Sequence, residues 1–273
     1  MNGGRKPTLV FLLLAALALP ALAACGGDDS KAAASDPWHP APTTAPWQWQ
    51  LQGPIDTSVP AGVYEVDGFF VPRKTVDELH SQGRKVICYL DVGSWENFRP
   101  DKKKFPRSVI GKRYQGFPSE RWMDIRQIGK LAKPLRARFD LCRRKGFDAV
   151  EPDNINGYTN DTGFPLTAHD QLRFNRWVAH EVHKRGMSVA LKNDPEQAAK
   201  LVGRFDFAVV EQCFQFHECG RFSPFIKADK AVFEAEYEIA PSSYCHRAAV
   251  LGFSSIRKSY PLTARPWKPC PAS

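Results

Sequence analysis

Three helix-like stretches of this chain each end in a glycine that opens onto an apolar, strand-like run, and this rhythm limits the fold more than any other feature. Residues 75–82, 127–145 and 168–185 carry apolar side chains three and four apart, and Gly83, Gly146 and Gly186 follow them. A glycine there can take the left-handed conformation that ends a helix and admits the next strand. Thr167 with Asp170 three residues on forms a capping-box pattern before the third stretch, and 195–202 is a fourth helical pattern. Strand-like runs recur at 47–51, 63–70, 85–92, 149–154, 188–193, 207–213, 231–237 and 252–258. They number about eight, as a closed parallel barrel requires. Only residues 52–62 separate the first two runs, so that crossover is expected to be a plain loop. A doubly wound open sheet would alternate in the same way, but no glycine-rich phosphate loop follows the first strand. The expected fold is therefore α/β, a TIM (β/α)8 barrel forming one domain over residues 47–273.

The amino end reads as an export signal. Arg5 and Lys6 precede an apolar run over 9–24 that is short for a membrane span and suited to a leader. The run closes on Leu22-Ala23-Ala24-Cys25, which resembles the lipobox of bacterial lipoproteins, so residues 1–24 are assigned to the leader and Cys25 to lipidation. Residues 25–46, rich in Ala, Pro, Ser, Thr and Asp, read as a tether. The expected location is outside the cytoplasm, anchored to the membrane by lipid or secreted.

The six remaining cysteines, Cys88, Cys142, Cys213, Cys219, Cys245 and Cys270, form an even set that suits an oxidising compartment. Cys213 with Cys219 would close a local loop beside Glu211, and Cys245 with Cys270 would tie down the tail. Cys88 on a strand could reach Cys142 on the helix behind it, although two buried free thiols would look the same in sequence. The net charge of +9 is scattered along the chain, and its densest runs, Lys102–Lys104 and Arg143–Lys145, read as solvated faces. Nucleic acid is not an expected partner, and the domain is expected to act as a monomer.

Acidic and amide residues gather where the strands end. The exits carry Asp67, Asp91, Glu151 with Asp153 and Asn154, Lys192 with Asn193 and Asp194, Glu211 and Glu236. In a parallel barrel that end carries the chemistry. Side chains two apart share a strand face, so Glu151 should lie directly beneath Asp153, its like charge opposing ionisation of one of them. Two carboxyls flanking one bond are what glycoside hydrolysis needs, and Asp153 and Glu211, two strands apart, are the pair chosen here. Asp67, Asp91, Asn154, Lys192, Asn193 and Glu236 are assigned to the substrate. Trp95, Trp122, Tyr158, Phe164 and Tyr237 fall near the exit loops, where rings can stack on sugars, and Trp95, Tyr158 and Tyr237 join the substrate set. His180 and His183 lack the spacing of a zinc-protease helix, and no Gly-x-Ser-x-Gly elbow is present. Neither a cofactor nor a metal is expected.

Trp47-Gln48-Trp49-Gln50-Leu51-Gln52-Gly53, Val86-Ile87-Cys88-Tyr89, Gly93-Ser94-Trp95-Glu96, the run Gly146 to Asn154, Asn160-Asp161-Thr162-Gly163-Phe164, Leu191-Lys192-Asn193 and Glu211-Gln212-Cys213 together resemble glycoside hydrolase family 114. The resemblance runs from Trp47 to Cys270. It implies a TIM barrel, endo-α-1,4-polygalactosaminidase activity on a cationic amino-sugar polymer, and catalytic acids at Asp153 and Glu211. By analogy with other barrels whose acids end the fourth and sixth strands, Asp153 is the expected nucleophile and Glu211 the expected acid/base. Two departures bear on sugar recognition: Cys88-Tyr89-Leu90-Asp91-Val92 replaces a smaller, less acidic run, and Glu65 stands where the family often has Asp. Two other readings compete, a glycan-binding barrel without catalysis and a hydrolase with a metal on Asp91, Asp153, Glu211 and Glu236.

Overall fold

A computed structural model describes residues 1–4 and 37–272. The leader assigned to 1–24, the lipidation at Cys25 and the tether up to residue 36 lie outside the described residues, apart from residues 1–4. No helix among the described residues is long and apolar enough to cross a membrane.

Eight parallel strands pair in chain order: β1 (Trp47–Gln50), β2 (Val63–Asp67), β3 (Lys85–Asp91), β4 (Ala149–Asp153), β5 (Ser188–Lys192), β6 (Phe207–Glu211), β7 (Val232–Glu236) and β8 (Ser254–Arg257). A two-residue strand, β9 (Lys268–Pro269), adds antiparallel to β8. The seam between β1 and β8 is closed by side chains and loops: Trp267 Nε1 donates to Trp47 O at 2.8 Å, Lys258 Nζ to Gln48 Oε1 at 2.9 Å, and Leu51 N to Leu262 O at 2.9 Å. This is the expected α/β barrel.

Period-2 alternation sorts each strand between two cores. Trp47, Trp49, Ile87, Ala149, Ala190, Phe207, Val209, Phe233 and Ile256 fill the barrel interior. Val86, Cys88, Leu90, Val150, Leu191 and Val210 face outward against the helices. Those helices are α1 (Arg73–Ser81), α2 (Ile128–Lys145), α3 (Ala168–His183), the single turn α4 (Ala198–Leu201), α5 (Ser223–Lys227) and α6 (Pro241–Leu251). The capping box at Thr167 and Asp170 is present, and Gly146 caps α2 at φ 86°. As expected, β1 and β2 are joined by a loop. The helices α5 and α6 were not anticipated, because short segments starting at or next to a proline (Pro224, Pro241) show little periodicity.

Two further features have no counterpart in the sequence expectation. Between β3 and α2 the chain builds a three-stranded antiparallel sheet from Ser94–Glu96, Ile110–Tyr114 and Phe117–Met123, which forms one wall above the barrel mouth. Its entry is fixed by Gly93, where an added Cβ would lie 1.7 Å from Asn154 O, so only glycine lets the exits of β3 and β4 press together. Residues 37–46 meanwhile lie against the barrel floor. Ala231 N donates to Pro40 O, the hydroxyls of Ser188 and Ser254 donate to Trp38 O and Ala45 O, and the Trp38 ring sits 5.7 Å from that of Phe207. The compact unit holding the barrel thus starts ahead of Trp47. Disulfides join Cys88 to Cys142, Cys213 to Cys219 and Cys245 to Cys270, the three pairs expected.

Candidate active site

Three consecutive strands end in Asp153, Lys192 and Glu211, all on the inward face. The Lys192 ammonium sits among the acids, 2.8 Å from Glu151 Oε1, 3.0 Å from Asp153 Oδ1 and 3.3 Å from Glu211 Oε2. It also lies over the Trp49 ring, 4.7 Å from its centre. Burial works against this charge, yet Asp153, Glu151 and Glu211 outweigh it and hold the lysine well above its ordinary pKa. Asp153 and Glu211 keep 19% and 28% of their side-chain surface exposed, whereas Glu151 has none, so a ligand can reach only the upper two acids.

Each upper acid has a phenol partner. Tyr89 Oη donates to Asp153 Oδ2 at 2.9 Å, and Tyr237 Oη donates to Glu211 Oε1 at 2.5 Å. Burial, reinforced by these carboxylates, pushes both phenols far up, which keeps them as donors. The amides do the fine positioning. Asn193 Oδ1 accepts from Glu211 N at 2.8 Å while its Nδ2 lies 3.3 Å from Glu211 Oε2. Asn154, Asn193 and Gln212, each just past a strand exit, take left-handed backbone at φ 60°, 49° and 56°, a turn that asparagine tolerates better than most residues.

These groups floor a cleft of about 1050 Å³, larger than most small-molecule pockets. Its walls add Asp67, Glu96 and Glu120, and the exposed rings of Phe70, Phe98, Phe117 and Tyr260 edge it. Asp67 is tied to Arg99 at 2.6 Å, and Arg99 also holds Glu96 at 2.6 Å beneath the Phe69, Phe70 and Phe98 rings. Glu120, from the three-stranded sheet, touches Ser94 Oγ at 2.9 Å. Burial pushes it up to about 7, and the charges of Asp153 and Glu96 add to the rise.

Of the residues assigned from sequence, Asp67, Asn154, Lys192, Asn193 and Tyr237 line this cleft with Asp153 and Glu211. Four do not. Glu236 is fully buried outside the barrel, where Oε1 accepts the N–H groups of Phe214 and Gln215 at 2.8 and 3.2 Å. Alternation explains the correction: Ala235 and Tyr237 point inward, so Glu236 must point outward. Asp91 is also fully buried, accepting from Gly93 N, Ser94 N, Ser94 Oγ and Asn154 Nδ2, and so braces the exits of β3 and β4 beside the cleft. Trp95 lines a separate groove with Lys102, Lys103, Phe105, Arg107, Ile110 and Arg121, and Tyr158 turns to Asp194 at 3.3 Å.

The four acids considered as metal ligands are not brought together. Asp91, Glu96 and Glu120 do approach one another within 4.8 Å, but Ser94 and Asn154 already hold Asp91 and Arg99 holds Glu96. Tyr89, Tyr114, Glu120 and Tyr260 were not identified from sequence. Tyr89 carried a signal, lying two before Asp91 and on its face, and the Gln115-Gly116 turn hints at the hairpin that supplies Tyr114 and Glu120.

Two carboxyls meeting over one cation, at the C-terminal mouth of a parallel barrel and open to a cleft, are the arrangement that glycoside hydrolysis needs. The comparisons agree: the sequence model of glycoside hydrolase family GH114 matches residues 27–271, and the chain belongs to that family. The crystal structure of Aspergillus fumigatus Ega3 in complex with galactosamine is similar at 35% identity and TM-score 0.81, covering 85% of this chain and 97% of that one. The glycoside hydrolase domain of PelA from Pseudomonas aeruginosa shares the fold at 14% identity and TM-score 0.61, covering 81% and 96%. No curated protein sequence matches the chain.

Proposed function

We propose that this hydrolase cleaves within chains of α-1,4-linked galactosamine, with Asp153 as nucleophile and Glu211 as acid/base. The observation that carries the reading is the Lys192 ammonium between the two acids. It holds both carboxyls toward one point of the cleft, where a glycosidic bond can lie between them. Glu211 gives its proton to the leaving glycosidic oxygen while Asp153 bonds to the anomeric carbon, and the carbon–oxygen bond breaks. Water then returns a proton to Glu211 and displaces Asp153. With Asp153 as nucleophile the course is retaining, which requires a separation of roughly 5–5.5 Å between the two carboxyl groups.

Protonated amino sugars suit this cleft because Asp153 and Glu211 keep exposed carboxyl oxygens in it and Glu120 adds a third acid to its wall, while Asp67 and Glu96 are paired with Arg99. The relative crystallised with galactosamine supports the same substrate class. The test is product analysis on polymers of galactosamine, N-acetylgalactosamine and glucosamine. Oligomers released from the first alone, or at least tenfold faster from it, are expected; equal release from all three would overturn the reading.

We place the enzyme outside the cytoplasm, a reading that the three disulfides support. The lipid anchor is tested by Cys25→Ser, which should move the protein from the membrane to the soluble fraction.

A further inference from the structure

Beneath the two acids the barrel interior holds a second carboxyl pair, with no role in the steps above. Glu65 on β2 and Glu151 on β4 are both fully buried. Both oxygens of Glu65 and Oε2 of Glu151 have no N–H or O–H donor among the described residues. The indole N–H of Trp49, beside Glu65 in the strand register, is itself without an acceptor and does not reach them. A buried acceptor left without a donor is costly, and a buried carboxylate facing another carboxylate is more so. Glu65 pairs in register with Ile87 and Glu151 with Tyr89, so the two acids point into the same interior from either side of β3, and a proton shared between them would satisfy both. The charged groups acting on Glu65 are Glu151 and Asp153 from β4 and Lys192 from β5. Three carboxyls, those of Glu151, Asp153 and Glu211, contact the single Lys192 ammonium, and Glu65 lies in the closed interior beneath them without a cation of its own.

We propose that Glu65 carries a proton and donates it to Glu151, and that this contact fixes Glu151 Oε1 under Lys192, setting where the ammonium meets Asp153 and Glu211. Glu65 is a positioning residue: it acts through Glu151 and Lys192 and does not line the cleft. Burial, first, and the neighbouring acids push Glu65 well up, and burial raises Glu151 to about 8, in keeping with a proton retained by the pair at neutral pH. The inference rests on the proposed roles of Asp153 and Glu211 only for its effect on turnover.

Two substitutions of similar length separate the outcomes. Glu65→Gln keeps a donor facing Glu151, and Glu65→Met removes it while filling the same space. On a galactosamine oligomer, kcat of Glu65→Gln is expected within threefold of the parent. Glu65→Met should lose at least tenfold in kcat, with KM within twofold and a Tm equal to or above the parent's. Infrared difference spectra at neutral pH give a readout independent of any substrate: the carbonyl band of a protonated carboxyl should disappear in Glu65→Gln. A purely structural role would lower Tm and kcat together in Glu65→Met, and that result overturns the proposal. So would equal loss of turnover in both variants, or an unchanged carboxyl band in Glu65→Gln. If no galactosamine polymer is cleaved by the parent, the functional reading fails, and the infrared result alone still decides where the proton lies.

Discussion

The Tyr237 phenol donates a 2.5 Å hydrogen bond to Glu211 Oε1 from the strand exit next to it. Tyr237 is buried and stacks on Tyr260 at 4.7 Å, so its hydroxyl has one fixed direction. Replacing it with phenylalanine removes a hydrogen bond to the carboxylate that forms as Glu211 gives up its proton, a bond to a charged group worth about 1.5–3 kcal/mol. Tyr237→Phe should reduce kcat at least tenfold with KM within twofold, as steady-state kinetics on a defined oligomer would show.

Lys192 is the cation on which both upper acids depend. Lys192→Met leaves Glu151, Asp153 and Glu211 facing one another without compensation, a loss of about 3–5 kcal/mol when one partner of a buried pair is removed. Thermal unfolding should show a lowered Tm, and activity should fall at least a hundredfold. An active, equally stable Lys192→Met enzyme would remove the cation from the account.

Asp194 gives a pH dependence with a definite sign. It is fully buried, accepts from Asn175 Nδ2 at 3.1 Å, and burial pushes it up to about 7. A carboxyl raised on folding stabilises the native state while it is protonated, and that contribution is lost as pH rises from the unfolded value, about 3.9, through about 7. Asp194→Asn should flatten the fall in Tm over this range relative to the parent. Parallel curves for the two proteins would contradict it.

Trp38 closes the barrel floor, with its ring 5.7 Å from Phe207 and 6.5 Å from Phe233. Trp38→Ala should destabilise the domain by about 2 kcal/mol, below the value for a fully buried tryptophan because this one is half-buried. Denaturant unfolding measures the loss. Turnover at low temperature should stay within twofold, since the floor is the end opposite the cleft.

The readable parts of the sequence were those governed by local periodicity. Apolar alternation and the glycines after α1, α2 and α3 were enough to lay out the eight strands, and the strand-exit rule led to Asp153, Glu211 and Lys192. Glu236 was misassigned because its exit position was counted without its parity, which Tyr237 beside it contradicts. Glu120 and Tyr114 reach the cleft from a hairpin sheet rich in charged residues, whose local sign is the Gln115-Gly116 turn alone and which is held in place by Lys112 N on Thr162 O and Met123 N on Gly93 O. Trp38 sits in a stretch whose composition reads as a tether, and only the barrel floor gives that ring something to cover. Glu65 shows no sign of its role in sequence, since a lone acid in an apolar strand does not reveal which acid it faces.

The most direct measurement is hydrolysis of galactosamine polymer by Asp153→Asn and Glu211→Gln, made separately, with folding checked by Tm. Each replacement keeps the shape of the side chain and removes its acid chemistry. The account predicts that each variant loses at least a thousandfold in kcat while binding the polymer and unfolding near the parent's Tm. Turnover at the parent's rate in either variant would contradict it.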